Sequence, residues 1–238
     1  MDKQVILGSA LALVLGAGAI MAATPFGADD SGFIPPDAPK GPITKCEVSV
    51  GKTVGKEVAS IIKCHGSRAV GKLADNTAED TCESSAITKL GAKPPTGCAP
   101  CTNFAGTLSG VAALTDANNN LVWCDNTGTA FGGDDTGFIP TDAPKGKATK
   151  CSLTVSKGVG KLVAAIGKCH ASRAVGKLAD DTAEDACESA AVTKFGTTKT
   201  TGCPACVNVG TIGTQVASLV DSNNVLTYCA SPSGAFVE

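Results

Sequence analysis

The twelve cysteines of this 238-residue chain form two sets of six, and every cysteine of the first set recurs 105 positions later. The related pairs are Cys46 and Cys151, Cys64 and Cys169, Cys82 and Cys187, Cys98 and Cys203, Cys101 and Cys206, and Cys124 and Cys229. A unit of this length is an ordinary domain size and is long for a solenoid repeat. The spacing therefore predicts two tandem domains, repeat domain 1 over 24–130 and repeat domain 2 over 131–238.

The N-terminus predicts export. Asp2 and Lys3 precede an apolar run from Val5 to Ala23 that is rich in Gly, Ala and Ser. This is the layout of a secretory signal peptide over 1–23, although the run is also long enough for an uncleaved membrane anchor. We expect a secreted or cell-surface protein whose mature form has no membrane segment. In that oxidising compartment an even number of cysteines predicts disulfides.

The composition supports a packed core and gives no case for nucleic acid. Hydrophobic residues make up 43% of the chain, and charged residues make up 18%. The formal net charge is −2. Because binding to nucleic acid depends on an excess of Lys and Arg, we expect no nucleic-acid partner.

Each copy predicts a Pro/Gly/Asp-rich linker followed by three helices, which is an all-α fold. The linkers are FGADDSGFIPPDAPKGP over 26–42 and its copy over 131–147. Thr44 is the predicted N-cap of a long first helix that ends at Gly71, and Thr77 with Asp80 predicts the start of a second helix. The apolar face of the first helix follows a helical spacing through Val50, Val54, Val58, Ile61 and His65. Further patterns predict third helices from Phe104 and Val209.

The helical hairpin predicts part of the disulfide pattern. Antiparallel first and second helices bring Cys64 beside Cys82, and likewise Cys169 beside Cys187. The chain then returns toward the start of the first helix, which places Cys98 and Cys101 near Cys46. One of that pair is predicted to bond Cys46 and the other to bond Cys124, and the sequence leaves open which does which. Cys151, Cys203, Cys206 and Cys229 are expected to repeat this arrangement.

Several motifs resemble reactive or metal sites, but structural roles explain them better. The CAPC and CPAC motifs have the Cys-x-x-Cys spacing of thiol–disulfide enzymes, yet no βαβ pattern surrounds them. Cys64–His65 resembles the end of a haem-attachment motif, but Ile61 stands where the first Cys is required. A zinc set of Cys98, Cys101, His65 and another Cys is the remaining alternative. We expect His65 to pack at the helix interface and to donate one hydrogen bond.

The acidic motifs also have simple interpretations. Arg68, Lys72, Asp75, Glu79 and Asp80 are expected to form solvated ion pairs around the loop between the helices. Asp116, Asn118 and Asn120 have the spacing of a calcium loop, but the following Gly is missing and the copy has Val225 in place of Asn120. The Asp pairs at Asp29 and Asp134 are equally weak candidates. We therefore predict no catalytic residue, no metal site and no cofactor. The candidate functional residues are His65, His170, Arg68 and Arg173.

The pattern FGGDDTGFIP…KC…KCH…CE…KFG…GCPAC…SNN…YC resembles a Cys-rich tandem-repeat family of exported bacterial proteins. The resemblance covers nearly all of both copies and departs from the pattern at Leu90, where the second copy has Phe195. It implies export and repetition, and it implies nothing about activity.

The leading functional prediction is a non-enzymatic structural subunit of an extracellular or cell-surface assembly. The linker 26–42 has no domain before it, so it is available to dock on the C-terminal domain of another copy. Repeated head-to-tail contacts of this kind build a filament. The alternatives are a monomeric extracellular binding module for a ligand or a metal, and a thiol or haem redox protein.

Overall fold

The computed structural model describes residues 24–229, which contain six α-helices and one two-stranded antiparallel sheet. The predicted signal peptide, 1–23, and the C-terminal residues 230–238 lie outside the described part. The elements are α1 Pro42–Ala69, α2 Asn76–Gly91, α3 Phe104–Ala117, β1 Thr129–Gly132, β2 Asp135–Ile139, α4 Lys147–Ala174, α5 Asp181–Gly196 and α6 Val209–Ser222. Helices dominate as predicted, and the small sheet is the departure from an all-α fold. No helix within 24–229 is long and apolar enough to cross a membrane.

The ends of the helices correct two sequence predictions. Helix α1 begins at Pro42 rather than after Thr44, because the carboxylate of Asp37 accepts hydrogen bonds from the backbone N–H groups of Ile43 and Thr44. Pro is favoured in a first helical turn, where its missing N–H costs nothing. The N-cap of α2 is Asp75, whose side chain accepts from the N–H of Ala78, so the predicted start at Thr77 is wrong.

The predicted end and the predicted buried face of α1 are confirmed. Gly71 follows the helix with a φ of 71°, a left-handed conformation that glycine adopts without strain. Val50 and Ile61 are fully buried, and His65 is 1% exposed. The helical period therefore turns His65 toward the interior along with the apolar side chains.

Helices α1 and α4 cross each other in antiparallel orientation at the centre of the molecule. A Cβ atom added to Gly55 would lie 3.3 Å from the Cα of Ala164, and one added to Gly160 would lie 3.4 Å from the Cα of Ala59. These two contacts are related by the 105-residue offset, so they lie symmetrically about the crossing. Glycine at both positions lets the helix backbones approach closely.

The two linkers are exchanged between the halves of the chain. The linker that precedes α1 packs on the second half, where Ser31 N–H donates to the Asp221 carbonyl and Phe33 N–H donates to the Tyr228 carbonyl. The internal linker packs on the first half, where Phe138 N–H donates to the Trp123 carbonyl at 2.7 Å. The aromatic rings of Phe26 and Phe131 anchor the two linkers, and both are fully buried or nearly so. Each three-helix unit is thus completed by the linker of the other unit.

All twelve cysteines lie in the described part and are paired. The predicted Cys64–Cys82 and Cys169–Cys187 bonds are confirmed. Cys46 bonds Cys98, and Cys151 bonds Cys203, which resolves one open choice. The predicted partner of Cys124 is wrong, because the remaining bonds join the halves as Cys101–Cys229 and Cys124–Cys206.

The exchange has a direct consequence for the predicted domains and assembly. Two disulfides, both linkers and the α1–α4 contact join residues 24–130 to residues 131–229. The division into two repeat domains is therefore a division of the sequence, and the described halves pack as one body. The linker 26–42, which a head-to-tail filament requires to be free, is docked on its own chain.

A substitution at the helix crossing tests this architecture. We expect Gly55→Val to lower the free energy of unfolding by about 1–3 kcal/mol, because the added side chain overpacks the contact with Ala164. Gly196→Ala is the control, since no atom lies within 4 Å of its added Cβ. Chemical denaturation of both variants measures the difference. Equal stability of the two variants would contradict the close α1–α4 contact.

Candidate metal centres

His65 lies at the convergence of three carboxylates from three different elements. Its Nε2 atom is 2.9 Å from Glu83 Oε1 on α2, 3.4 Å from Asp116 Oδ1 on α3 and 2.8 Å from Asp135 Oδ1 on β2. Glu79 lies one helical turn before Glu83 and faces the same cluster. We call these five residues centre 1.

The second half of the chain repeats the arrangement around His170. The Nε2 atom of His170 is 3.0 Å from Asp30 Oδ1, 2.7 Å from Glu188 Oε1 and 3.6 Å from Asp221 Oδ1. Glu184 occupies the position that corresponds to Glu79. We call this set centre 2. In both centres one carboxylate comes from the exchanged linker, namely Asp135 in centre 1 and Asp30 in centre 2.

These ionisable side chains are almost completely buried, which is unfavourable for a charged group that has no counter-charge. Glu79 and Glu184 are fully buried, and the other residues of the two centres are at most 8% exposed. A buried carboxylate costs several kcal/mol unless a counter-charge and hydrogen bonds satisfy it. The prediction that Glu79 belongs to a solvated ion-pair cluster is therefore wrong.

Hydrogen bonding does not account for the short distances. Although His65 Nε2 approaches three carboxylate oxygens, none of these contacts has hydrogen-bond geometry. The same is true of His170 Nε2, and both oxygens of Glu79 and of Glu184 also have no hydrogen-bond partner. The single N–H group at Nε2 cannot donate well-aligned hydrogen bonds to three acceptors that lie around it. The expectation that His65 donates a single hydrogen bond at a helix interface is wrong.

The shifted pKa values of His65 and Glu79 show that the cluster favours positive charge. Burial alone would lower the pKa of His65, but Asp116, Asp135 and Glu83 raise it to about 11. Burial, with the negative charge of Asp135, raises the pKa of Glu79 to about 8. With its four carboxyl groups ionised, centre 1 has a formal charge of −4 when the imidazole is neutral and −3 when the imidazole is protonated, the form that the raised pKa of His65 favours without a cation. A divalent cation bound by the neutral imidazole compensates the carboxylates more fully than this single proton does.

The spacing of the donor atoms fits a metal ion. Donor atoms of His65, Glu79, Glu83 and Asp135 all lie within 4.8 Å of one another, as do those of His170, Glu184, Glu188 and Asp30. Ligands on opposite sides of an ion with bonds of about 2.0–2.2 Å are about 4.0–4.4 Å apart. Each centre therefore has the size of one coordination sphere, and Asp116 and Asp221 lie beside it.

The covalent structure positions the ligands. Cys64 precedes His65, Cys82 precedes Glu83, and the disulfide between these cysteines holds their Cα atoms 5.9 Å apart. It thereby fixes α1 against α2 next to two donor groups. Glu79 and Glu83 share one face of α2 because they are four residues apart. The disulfide between the two cysteines thus holds the adjacent donor residues, His65 and Glu83, close to each other.

The two candidate arginines lie against the buried glutamates. The Nε atom of Arg173 is 4.0 Å from Glu184 Oε2. Arg68 is the equivalent residue in centre 1, and its charge partly opposes the rise in the pKa of Glu79. These arginines are close enough to stabilise the glutamate charges, but each supplies only donors and no metal ligand.

The other candidate sites of the sequence do not assemble. Cys98 and Cys101 are in disulfides with Cys46 and Cys229, so the zinc set with His65 is wrong. Cys64 is likewise bonded and leaves no thiol for haem. Asp116 does join a cluster, but the side chain of Asn118 donates to the Leu114 carbonyl instead of pointing to a shared calcium position, so the calcium-loop spacing has no counterpart here.

The described part of the chain is thus a disulfide-linked helical structure that carries the same buried histidine–carboxylate cluster twice. Comparison of the chain with protein-family models, with curated proteins and with solved structures finds no match. The geometry of the two centres is therefore the main indication of function.

Proposed function

We propose that this chain is an exported, non-enzymatic metal-binding protein that holds one divalent cation in each of its two centres. The observation that carries the proposal is the convergence of buried, unpartnered carboxylate oxygens on a buried histidine nitrogen, which occurs twice. This proposal develops the alternative of a monomeric binding module and departs from the expectation that the chain has no metal site.

The donor set selects the kind of cation. Carboxylate oxygens suit Mg²⁺, Ca²⁺ and Mn²⁺, whereas imidazole suits the transition metals. Ca²⁺ takes six to eight oxygen ligands, so an imidazole at the middle of the cluster disfavours it. A divalent ion of the first transition row, for which Mn²⁺ is the representative, fits a set of one nitrogen and several oxygens.

The role we assign is to bind or carry the metal rather than to use it in catalysis. Six disulfides support an oxidising location, which agrees with the predicted export. The ligands are enclosed by three helices and a docked linker, so the centres favour retention of the ion over access for a substrate.

Metal analysis of the folded protein tests the proposal. Protein equilibrated with equal concentrations of Mn²⁺, Zn²⁺ and Ca²⁺, and then freed of unbound ions, should retain two first-row divalent ions per chain and no Ca²⁺. The isosteric variants Glu83→Gln and Glu188→Gln should each retain one. Protein that retains no ion, or variants that retain as many ions as the wild type, would disprove it.

A structural role in an assembly is the second candidate. The observation that favours it is the docking surface for linker 26–42 on the second half of the chain, where Asn224 Nδ2 donates to the Ser31 carbonyl and Val225 N–H donates to Ser31 Oγ. If this linker docked instead on the second half of the next molecule, the same contacts would form between chains. Repetition of this one-way docking would build the predicted head-to-tail filament.

The mass of the purified protein in solution distinguishes this candidate. Light scattering over a range of concentrations should show species larger than one chain if the linker is exchanged. A single species with the mass of one chain at every concentration would exclude the assembly and leave the metal-binding proposal intact.

A further inference from the structure

The α1–α4 pair forms a groove that is independent of the two centres. It encloses about 1150 Å³ and runs along the side of both helices. Small residues, among them Gly55, Ala59, Gly160 and Ala164, form most of its floor, and the larger side chains of Ile62, Val70 and Leu153 also line it. Ala59 and Ala164 are exposed there, so the floor is accessible to solvent.

The walls of the groove are strongly basic. Seven exposed lysines line it: Lys72, which follows α1, and two rows of three, Lys52, Lys56 and Lys63 on α1 and Lys157, Lys161 and Lys168 on α4. The spacings of four and seven residues put each set on one helical face. Each set extends over about 16 Å, at 1.5 Å of rise per residue. The two rows are related by the 105-residue offset and face each other across the groove.

Within residues 24–229, no acidic side chain neutralises these lysines. In that part of the chain the groove lining contains no Asp and no Glu, α4 has neither, and the two glutamates of α1, Glu47 and Glu57, are buried. None of the ion pairs in the described part of the chain involves a lysine. A concave surface with one sign of charge concentrates ligands of the opposite sign. The basic groove is therefore complementary to an anion, although the whole chain has a net charge of −2.

The shape and lining of the groove indicate the class of anion. Two parallel rows of charge along an elongated groove suit an extended polymer better than a compact ion. Among the residues that the structure describes, no aromatic side chain lines the groove, so this surface lacks the platforms on which single-stranded nucleic acids stack. Membrane-surface helices carry large apolar side chains opposite their lysines, whereas the small residues here are recessed between the lysine rows. We propose that the groove binds an extended anionic polysaccharide that carries carboxylate or sulfate groups.

Titration calorimetry of the purified protein with polygalacturonate, a polymer of sugar carboxylates, tests this proposal. The polymer should bind, its fully methyl-esterified form should not, and binding should weaken as the salt concentration rises. The double variant K56E/K161E places two negative charges in the groove and should bind at least about tenfold more weakly.

The matched control is K89E/K194E. Lys89 on α2 and Lys194 on α5 are exposed, are also related by the 105-residue offset and lie outside the groove. This variant has the same change in net charge and should bind within about twofold of the wild type. Equal losses in both variants, equal binding of the methyl ester, or binding only to phosphatidylglycerol vesicles or to DNA would overturn the proposal. Because none of these lysines touches a metal centre, failure here leaves the metal-binding proposal unaffected.

Discussion

Removal of the metal by a chelator should lower the midpoint of thermal unfolding by roughly 10–20 °C. An ion at a concentration 100 times its dissociation constant stabilises the folded state by about 2.7 kcal/mol per site, and there are two sites. In a chain of this length each kcal/mol corresponds to about 2–4 °C. The reason for the large effect is that the chelated protein keeps clusters of buried carboxylates without a counter-ion.

Differential scanning calorimetry with and without excess Mn²⁺ measures this shift. The six disulfides are unaffected by a metal chelator, so addition of Mn²⁺ should restore the original midpoint. The double variant Asp30→Asn with Asp135→Asn is the control, because it has lost a ligand from each centre and should respond much less to the chelator. A wild-type midpoint that is the same in chelator and in Mn²⁺ would contradict metal binding.

The sequence was sufficient for the local structure of each half. The helical spacing through Val50, Ile61 and His65 predicted the buried face of α1, and the hairpin geometry predicted the Cys64–Cys82 bond. These features depend on residues close together along the chain. The error at the start of α2 arose because Asp75 and Thr77 are both good N-caps, and the chain adopts the earlier one.

The long-range pairings could not be obtained in this way. Nothing local indicates that Cys101 bonds Cys229, 128 positions away, or that a linker packs on the other half of the chain. The Cys-His and Cys-Glu pairs did carry a signal, because a disulfide predicted between Cys64 and Cys82 already brings His65 near Glu83. The sequence did not indicate that Asp135 belongs to centre 1 and Asp30 to centre 2, because both placements depend on the exchange of linkers.

That exchange leads to the second large effect. The substitution Asp135→Asn should reduce the Mn²⁺ content from two ions per chain to one, and Asp30→Asn should do the same at the other centre. Each change keeps the shape of the side chain but replaces a negatively charged oxygen donor with an amide. Metal analysis gives the stoichiometry, and we expect the affinity of the altered centre to fall at least about tenfold.

The fluorescence of Trp123 should identify which centre has lost its ion. Trp123 is the single tryptophan of the chain; its ring lies 5.5 Å from that of Phe131, which lies 5.9 Å from His65 in centre 1. Centre 2 has Tyr228 at the corresponding position. Quenching by paramagnetic Mn²⁺ should therefore persist in Asp30→Asn and be strongly reduced in Asp135→Asn.

The control for Asp135→Asn is Asp134→Asn, which makes the same change in charge one residue away. Asp134 is exposed, whereas Asp135 is 8% exposed and lies 2.8 Å from His65 Nε2. If Asp135 binds the ion directly, Asp134→Asn should keep two ions and full quenching, since an exposed charge is screened by water and salt. If Asp134→Asn loses an ion as readily as Asp135→Asn, the cation is attracted by the general negative field of the linker. The claim that the exchanged linkers complete two defined coordination spheres would then be wrong.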